Sequence, residues 1–265
     1  MYLWKITAAS AEFIMYMCGR LQEAAPGTFT RRIILAGTLM LNTNTNERII
    51  HWPVLFKFGK RKHLESLRKD GSLYMRPQTC FSKMESDCVR GDQFEGTTHI
   101  HQPKCITQMT IEDSHGHTMV LFPGNFVEPL QVTTTDRPSY NVYCMFSVTE
   151  VVDSPLVDER NCKFGDSFVV VLRSATFIER VCAKAAESGF KCEYELVKYY
   201  NEKTYDGETG PFRKPSRFAY QNEFRFAISP GSTGAITLLV GSLLDITSEI
   251  LPSARINELV KFGVK

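Results

Sequence analysis

The chain has 265 residues, of which 43% are hydrophobic and 23% charged, and a formal net charge of +2. That balance describes a globular protein with enough apolar material for a core, and it excludes a disordered or collagen-like chain. Bulk charge gives no reason to expect strong attraction to nucleic acid or a membrane surface, so such binding needs a local patch.

The eight cysteines (18, 80, 88, 105, 144, 162, 182 and 192) include no Cys-x-x-Cys pair and follow no regular spacing. They predict free thiols in a reducing, cytoplasmic compartment. Met1-Tyr2-Leu3-Trp4-Lys5 has no basic region leading into a long apolar core, which predicts no signal peptide. No run of about 18 apolar residues occurs, so no membrane partner is expected.

Residues 1–52 read as an N-terminal extension of helix and strand packed on the core. Apolar residues at helical spacing (Ala11, Ile14, Met15, Cys18, Leu21) predict a helix over Ala8–Leu21, with Ser10 placed to cap it and Pro26-Gly27 to end it. Strands are expected at Arg32–Leu35 and Thr38–Leu41, then a polar turn at Asn42–Asn46.

Residues 53–265 read as one further domain. Val54–Phe58 predicts a strand that leads into the basic stretch Lys57 to Lys62. A helix over His63–Lys69 follows, with Leu64 and Leu67 inward, closed by Gly71 at a left-handed cap. Ser72–Arg76 is the next strand, stopped by Pro77. Basic side chains and free amides at a helix start suit a phosphate, and they equally suit a solvated loop.

The pairs His99/His101 and His115/His117 could chelate a divalent metal if they converged. Asp113–His117 also reads as a hairpin turn between Ile106–Glu112 and Thr118–Phe122, where polar residues are expected anyway, and no metal site is assigned. Strands are predicted at Tyr140–Val148, Asp166–Leu172, Cys192–Tyr200 and Ile236–Leu244. Helices are predicted at Ser174–Ser188 and Ser253–Phe262. Strands outnumber helices and connect mostly as hairpins, which makes the class α+β with antiparallel or mixed sheets. Asn201–Arg217 reads as a long loop with Tyr205 and Phe212 exposed, and such loops are commonly functional.

Tyr220–Ile228 predicts a strand with Gln221, Glu223 and Arg225 on one face and Tyr220, Phe224, Phe226 and Ile228 on the other. That is how a strand looks with one side in the core and the other in a cleft, or on the surface of an antiparallel sheet.

The order strand, helix, Gly71-x-Leu73 turn, strand over Phe58–Arg76, followed late by Gln221-x-Glu223, resembles the ADP-ribosyltransferase superfamily. The same run also resembles uncharacterised bacterial proteins that carry segments like Arg90-Gly91-Asp92, Phe94-Glu95, Cys144-Met145-Phe146-Ser147 and a late E/Q-x-E-x-R strand. The resemblance covers about residues 54–245, in scattered short motifs.

It implies an antiparallel or mixed two-sheet core of ADP-ribosyltransferase type with flanking helices, and transfer of ADP-ribose from NAD to a macromolecular acceptor, nucleic acid or protein. The setting it implies is a bacterial toxin or antiphage effector with an antitoxin or chaperone partner. Glu223 would stabilise the charge developing on the ribose, Gln221 would meet the acceptor, and Arg225 would hold the carboxylate. Lys57, Lys60 and Arg61 would meet the pyrophosphate, Tyr74 the nicotinamide, and Ser147 would support the glutamate. Arg90 and Asp92 would pair to shape the pocket. In the loop ahead of the glutamate, Tyr205, Asp206, Glu208 and Phe212 would contact the target, and Arg213, Lys214 and Arg217 would suit a phosphate on it. The superfamily's Ser-Thr-Ser triplet and paired tyrosines have no match. Two other readings remain: a non-catalytic sensor or scaffold of the same fold, and a metal-dependent hydrolase using the four histidines.

Overall fold

A computed structural model describes residues 33–36, 52–82, 91–134, 139–149 and 155–263. The helix predicted over Ala8–Leu21, the strand over Thr38–Leu41, the turn at Asn42–Asn46 and Arg90 lie outside the described residues.

In chain order the elements are β1 (Ile33–Ala36), β2 (Val54–Gly59), α1 (Arg61–Asp70), β3 (Ser72–Pro77), α2 (Thr79–Ser82) and β4 (His99–His101). Then come β5 (Met109–Glu112), β6 (Thr118–Leu121), β7 (Leu130–Val132), β8 (Asn141–Val148), β9 (Ser167–Val171), α3 (Ser174–Glu187), β10 (Lys191–Leu196) and β11 (Lys198–Tyr200). The chain continues through β12 (Gly207–Glu208), β13 (Arg213–Pro215), β14 (Glu223–Ser229), β15 (Ile236–Leu239), β16 (Leu251–Pro252), α4 (Ile256–Leu259) and β17 (Val260–Gly263).

The class is mixed α+β with mostly antiparallel sheets. One eight-stranded sheet runs β10-β14-β8-β2-β9-β16, and β3 and β15 join it at the Asn141 end of β8. The long strand β8 holds it together. One edge meets β14 along its length, and the other meets β2 near Phe146–Val148 and β3 near Asn141–Val142. Among the described residues only two pairings are parallel, β1 with β17 and β11 with β13.

Alternation along these strands builds one core on each face of the sheet. Leu55, Met145, Val169, Phe224, Phe226 and Ile228 pack under α1, α3 and β3. Phe56, Phe58, Phe146, Phe168 and Val170 pack on the opposite face with Val157 and Ile256. Phe177 of α3 meets Phe226 edge-on at 5.7 Å, so Phe224, Phe226 and Ile228 are core as their pattern predicts, whereas Tyr220, expected on the same face, is half-buried outside it beneath Arg160.

The strand–helix–glycine–strand unit forms as expected. Gly71 caps α1 at φ 63°, donating to the Leu67 carbonyl. A Cβ placed there would meet the Gly241 carbonyl oxygen at 2.2 Å. The Gly71→Ala protein is therefore expected to lose at least about 1–2 kcal/mol in urea unfolding, the cost of a left-handed L-residue before any backbone shift.

Three expectations are corrected. The segment Ser253–Phe262 is helical only as a turn at Ser253–Arg255 and the single-turn α4, then extends as β17 alongside β1. Its helical periodicity is overridden because a strand partner satisfies the backbone there. The strand predicted at Cys192–Tyr200 divides at Val197 into β10 and β11, which pair with different strands. Finally, 201–217 is not a free loop. β12 pairs with β4 and β13 with β11, so much of its backbone is hydrogen-bonded to neighbours. Tyr205 and Phe212 are half-buried rather than exposed, with the Tyr205 ring tilted against Tyr200 at a centroid distance of 4.7 Å.

Candidate functional site

The 220–228 segment differs from a plain strand at its start. Tyr220 and Gln221 belong to a 3-10 turn over Ser216–Gln221, Asn222 takes the left-handed conformation at φ 39°, and β14 begins only at Glu223. Asparagine tolerates that conformation better than most side chains, which explains the break. The turn still brings Gln221 beside Glu223, because both reach the same ammonium. Lys214 Nζ donates to Gln221 Oε1 at 2.7 Å and to Glu223 Oε1 at 3.0 Å.

The backbone at this point is pinned from several sides. The Ser147 hydroxyl donates to the Asn222 carbonyl at 2.7 Å, and the Ser147 amide donates to the same oxygen at 2.8 Å. The Glu223 amide donates to the Tyr199 hydroxyl at 2.9 Å, and the Asn161 side-chain amide donates to the Tyr220 carbonyl at 2.8 Å.

Glu223 and Arg225 share a face of β14, as period-two alternation requires, and Arg225 Nη2 donates to Glu223 Oε2 at 2.7 Å. Away from the strand, Arg225 Nη1 donates to Glu95 Oε1 at 2.5 Å and to the Pro211 carbonyl at 2.6 Å. The polar face is thus not the open cleft expected of it. Gln221, Glu223, Arg225, Lys214, Glu95 and Asp92 are all buried, and both oxygens of Glu223 already accept from a cation. Burying one charge is unfavourable unless it is paired and hydrogen-bonded, and here each charge recruits the next.

The electrostatics follow. Burial pushes the Glu223 carboxyl up, but Lys214 and Arg225 outweigh it and bring it down to about 2. Burial alone would lower Lys214, and Glu223 turns the balance upward. Glu223 is therefore ionised at neutral pH, suited to stabilising positive charge and unable to act as a general acid. Asp92 behaves oppositely: burial and then Glu95 push it up to about 6. Its carboxylate accepts from the Phe94 amide at 3.1 Å and lies 3.8 Å from Arg217.

A raised carboxyl contributes stability that is complete below its ordinary value of 3.8 and is lost as pH rises through about 6. Asp92→Asn is therefore expected to flatten the fall in urea midpoint over that window, and to leave the variant more stable than the parent at pH above about 7. Equal midpoints there would show that Asp92 is ionised at no cost.

The other expected site residues are distributed more widely. Lys57 alternates with Leu55, so it sits on the sheet face opposite Glu223. Its ammonium donates to the Cys144 carbonyl at 2.6 Å, 3.9 Å over the Tyr143 ring. Lys60 and Arg61 are exposed at the start of α1, where the Arg61 amide donates to Asp166 Oδ1 at 3.2 Å. A protein carboxylate thus occupies the helix end read as a phosphate site. Tyr74 is 60% exposed on β3.

Arg217 bonds Glu202 and lies over the Phe218 ring at the rim of the buried group. Arg213 lies over Tyr205, and Lys214 is interior rather than offered to a target. Asp206 accepts from the Gln102 amide, and Glu208 lies 3.6 Å from His99. His99 and His101 stack on β4, whereas His115 and His117 sit on the β5–β6 turn. Among the described residues no group of three or more His, Cys, Asp or Glu is arranged to hold a metal.

Lys214, Glu95, Tyr199 and Asn161 are the members that sequence reasoning missed or placed elsewhere. One signal existed: Glu223 and Arg225 on a strand face require a partner set of net neutral charge. Nothing local in sequence says that Glu95, 130 residues away, supplies it.

Fold and site together define a mixed α+β protein with an ionised glutamate at the head of a central strand, enclosed by two buried cations. Compared with known proteins, the chain matches no family model, no curated protein and no solved structure.

Proposed function

We propose that the chain is an NAD-dependent ADP-ribosyltransferase, moving ADP-ribose to a macromolecular acceptor, of the kind used as a bacterial toxin or antiphage effector. The observation that carries this reading is the ionised, rigidly held Glu223 with Gln221 coordinated to the same ammonium. Cleavage of the nicotinamide–ribose bond passes through an oxocarbenium-like state, and a preorganised carboxylate stabilises that charge without needing a proton. Gln221, an amide able to donate and accept, stands beside it for the acceptor. The motif order from Phe58 to Arg225 supports the superfamily assignment. The test is incubation of the purified chain with labelled NAD and whole-cell lysate, followed by nuclease or protease digestion. A macromolecular label removed by one treatment is expected and names the acceptor class. No NAD consumption and no label would overturn the proposal.

A second reading is favoured by the pairing of both Glu223 oxygens and its 8% side-chain exposure. In that reading the buried charges specify a non-catalytic scaffold or sensor that acts through a protein partner. Absence of NAD binding in calorimetry, together with partner capture in a pull-down, would select it.

A further inference from the structure

Helix α3 turns back on the sheet through Ser188, Gly189 and Phe190, so that its inner side lies along the edge strand β10. This brings Cys182 of α3 and Cys192 of β10 together at the border of the main core, with their sulfur atoms 3.5 Å apart. Both are half-buried, reachable from solvent yet backed by apolar side chains. A disulfide requires about 2.05 Å, so the sulfurs, already in contact, have roughly 1.5 Å to close.

We propose that Cys182 and Cys192 are a redox-active dithiol, oxidised by hydrogen peroxide to a disulfide that links α3 to β10. The two thiols are not equivalent. The two sulfurs share one weak hydrogen bond, and this contact lowers Cys182 while the same contact and burial push Cys192 up, which places the thiolate on Cys182. The Cys182 thiolate attacks a peroxide oxygen, the O–O bond breaks, and the hydroxide released takes a proton to leave as water. The Cys192 sulfur then attacks the Cys182 sulfenic acid; the S–S bond forms, the S–O bond breaks, and the Cys192 proton leaves with that oxygen as a second water. Two thiols lose two electrons, and the peroxide gains them.

Other cysteines are placed differently. Burial pushes the Cys144 thiol up to about 11, and Cys162 donates to the Ser253 carbonyl. The pair is independent of the NAD chemistry proposed above. It is nonetheless connected to that region, because Cys192 lies opposite Ile228 on β14, the strand that Glu223 opens.

The test treats the intact protein with hydrogen peroxide, blocks remaining thiols with iodoacetamide and digests with trypsin. Cleavage after Arg180, Lys184, Lys191 and Lys198 is expected to give Val181–Lys184 joined to Cys192–Lys198, released by dithiothreitol. In Cys192→Ser the link disappears, and Cys182 is captured by dimedone as a sulfenic acid. In Cys182→Ser the link disappears without that adduct. Far-ultraviolet circular dichroism of the untreated variants should match the parent. Recovery of both peptides alkylated from treated parent protein would overturn the proposal. So would joining of Cys182 to a cysteine other than Cys192.

Discussion

The Arg225→Met protein is expected to be less stable than the parent by about 3–5 kcal/mol, the range for removing one partner of a buried ion pair. Arg225 is 2% exposed and stands between Glu95 and Glu223, themselves buried. Methionine fills similar volume but leaves two interior carboxylates with only the Lys214 ammonium near them. Adding Glu95→Gln to Arg225→Met should therefore recover part of the loss, since it removes the carboxylate furthest from Lys214's direct bonds. Urea denaturation of the two variants decides the matter. A loss below about 1 kcal/mol would mean that the group is solvated like a surface pair.

Glu223→Gln is expected to abolish label transfer from NAD, a fall of at least about 10²–10³, as found when one preorganised electrostatic group is removed from an active site. The amide keeps the shape of the carboxylate but carries no charge to set against an oxocarbenium ion. Retained labelling in a variant that still unfolds cooperatively would remove Glu223 from the mechanism. Gln221→Ala separates the two roles, and it should still release free ADP-ribose while labelling less acceptor. Stability carries its own signature. The depressed Glu223 carboxyl contributes stability that is complete above its ordinary 4.5 and is lost as pH falls toward about 2. The Glu223→Gln protein should lack that acid-side loss.

Much of the local architecture is legible in residue patterns. The β2–α1–β3 unit follows from Val54–Phe58, the Leu64/Leu67 stripe and Gly71, each a short-range preference. The aromatic side of β14 and the helix α3 follow from periods of two and 3.6. Where the reading goes astray, the deciding partner is distant. β17 is a strand because β1 lies beside it, and β10 and β11 separate because β14 and β13 claim them individually. Lys214 reads as a surface cation in its own neighbourhood, and becomes interior only when β13 is laid against β11.

By itself the sequence determined the α+β class, the shared face of Glu223 and Arg225, and the apolar face opposite, because alternation along a strand is local geometry. Only the tertiary structure decided what that polar face meets. Enclosure under Pro211, Lys214 and Glu95 turns an expected open stripe into a sealed, charge-balanced group, since a buried carboxylate persists only where the fold delivers cations from elsewhere in the chain.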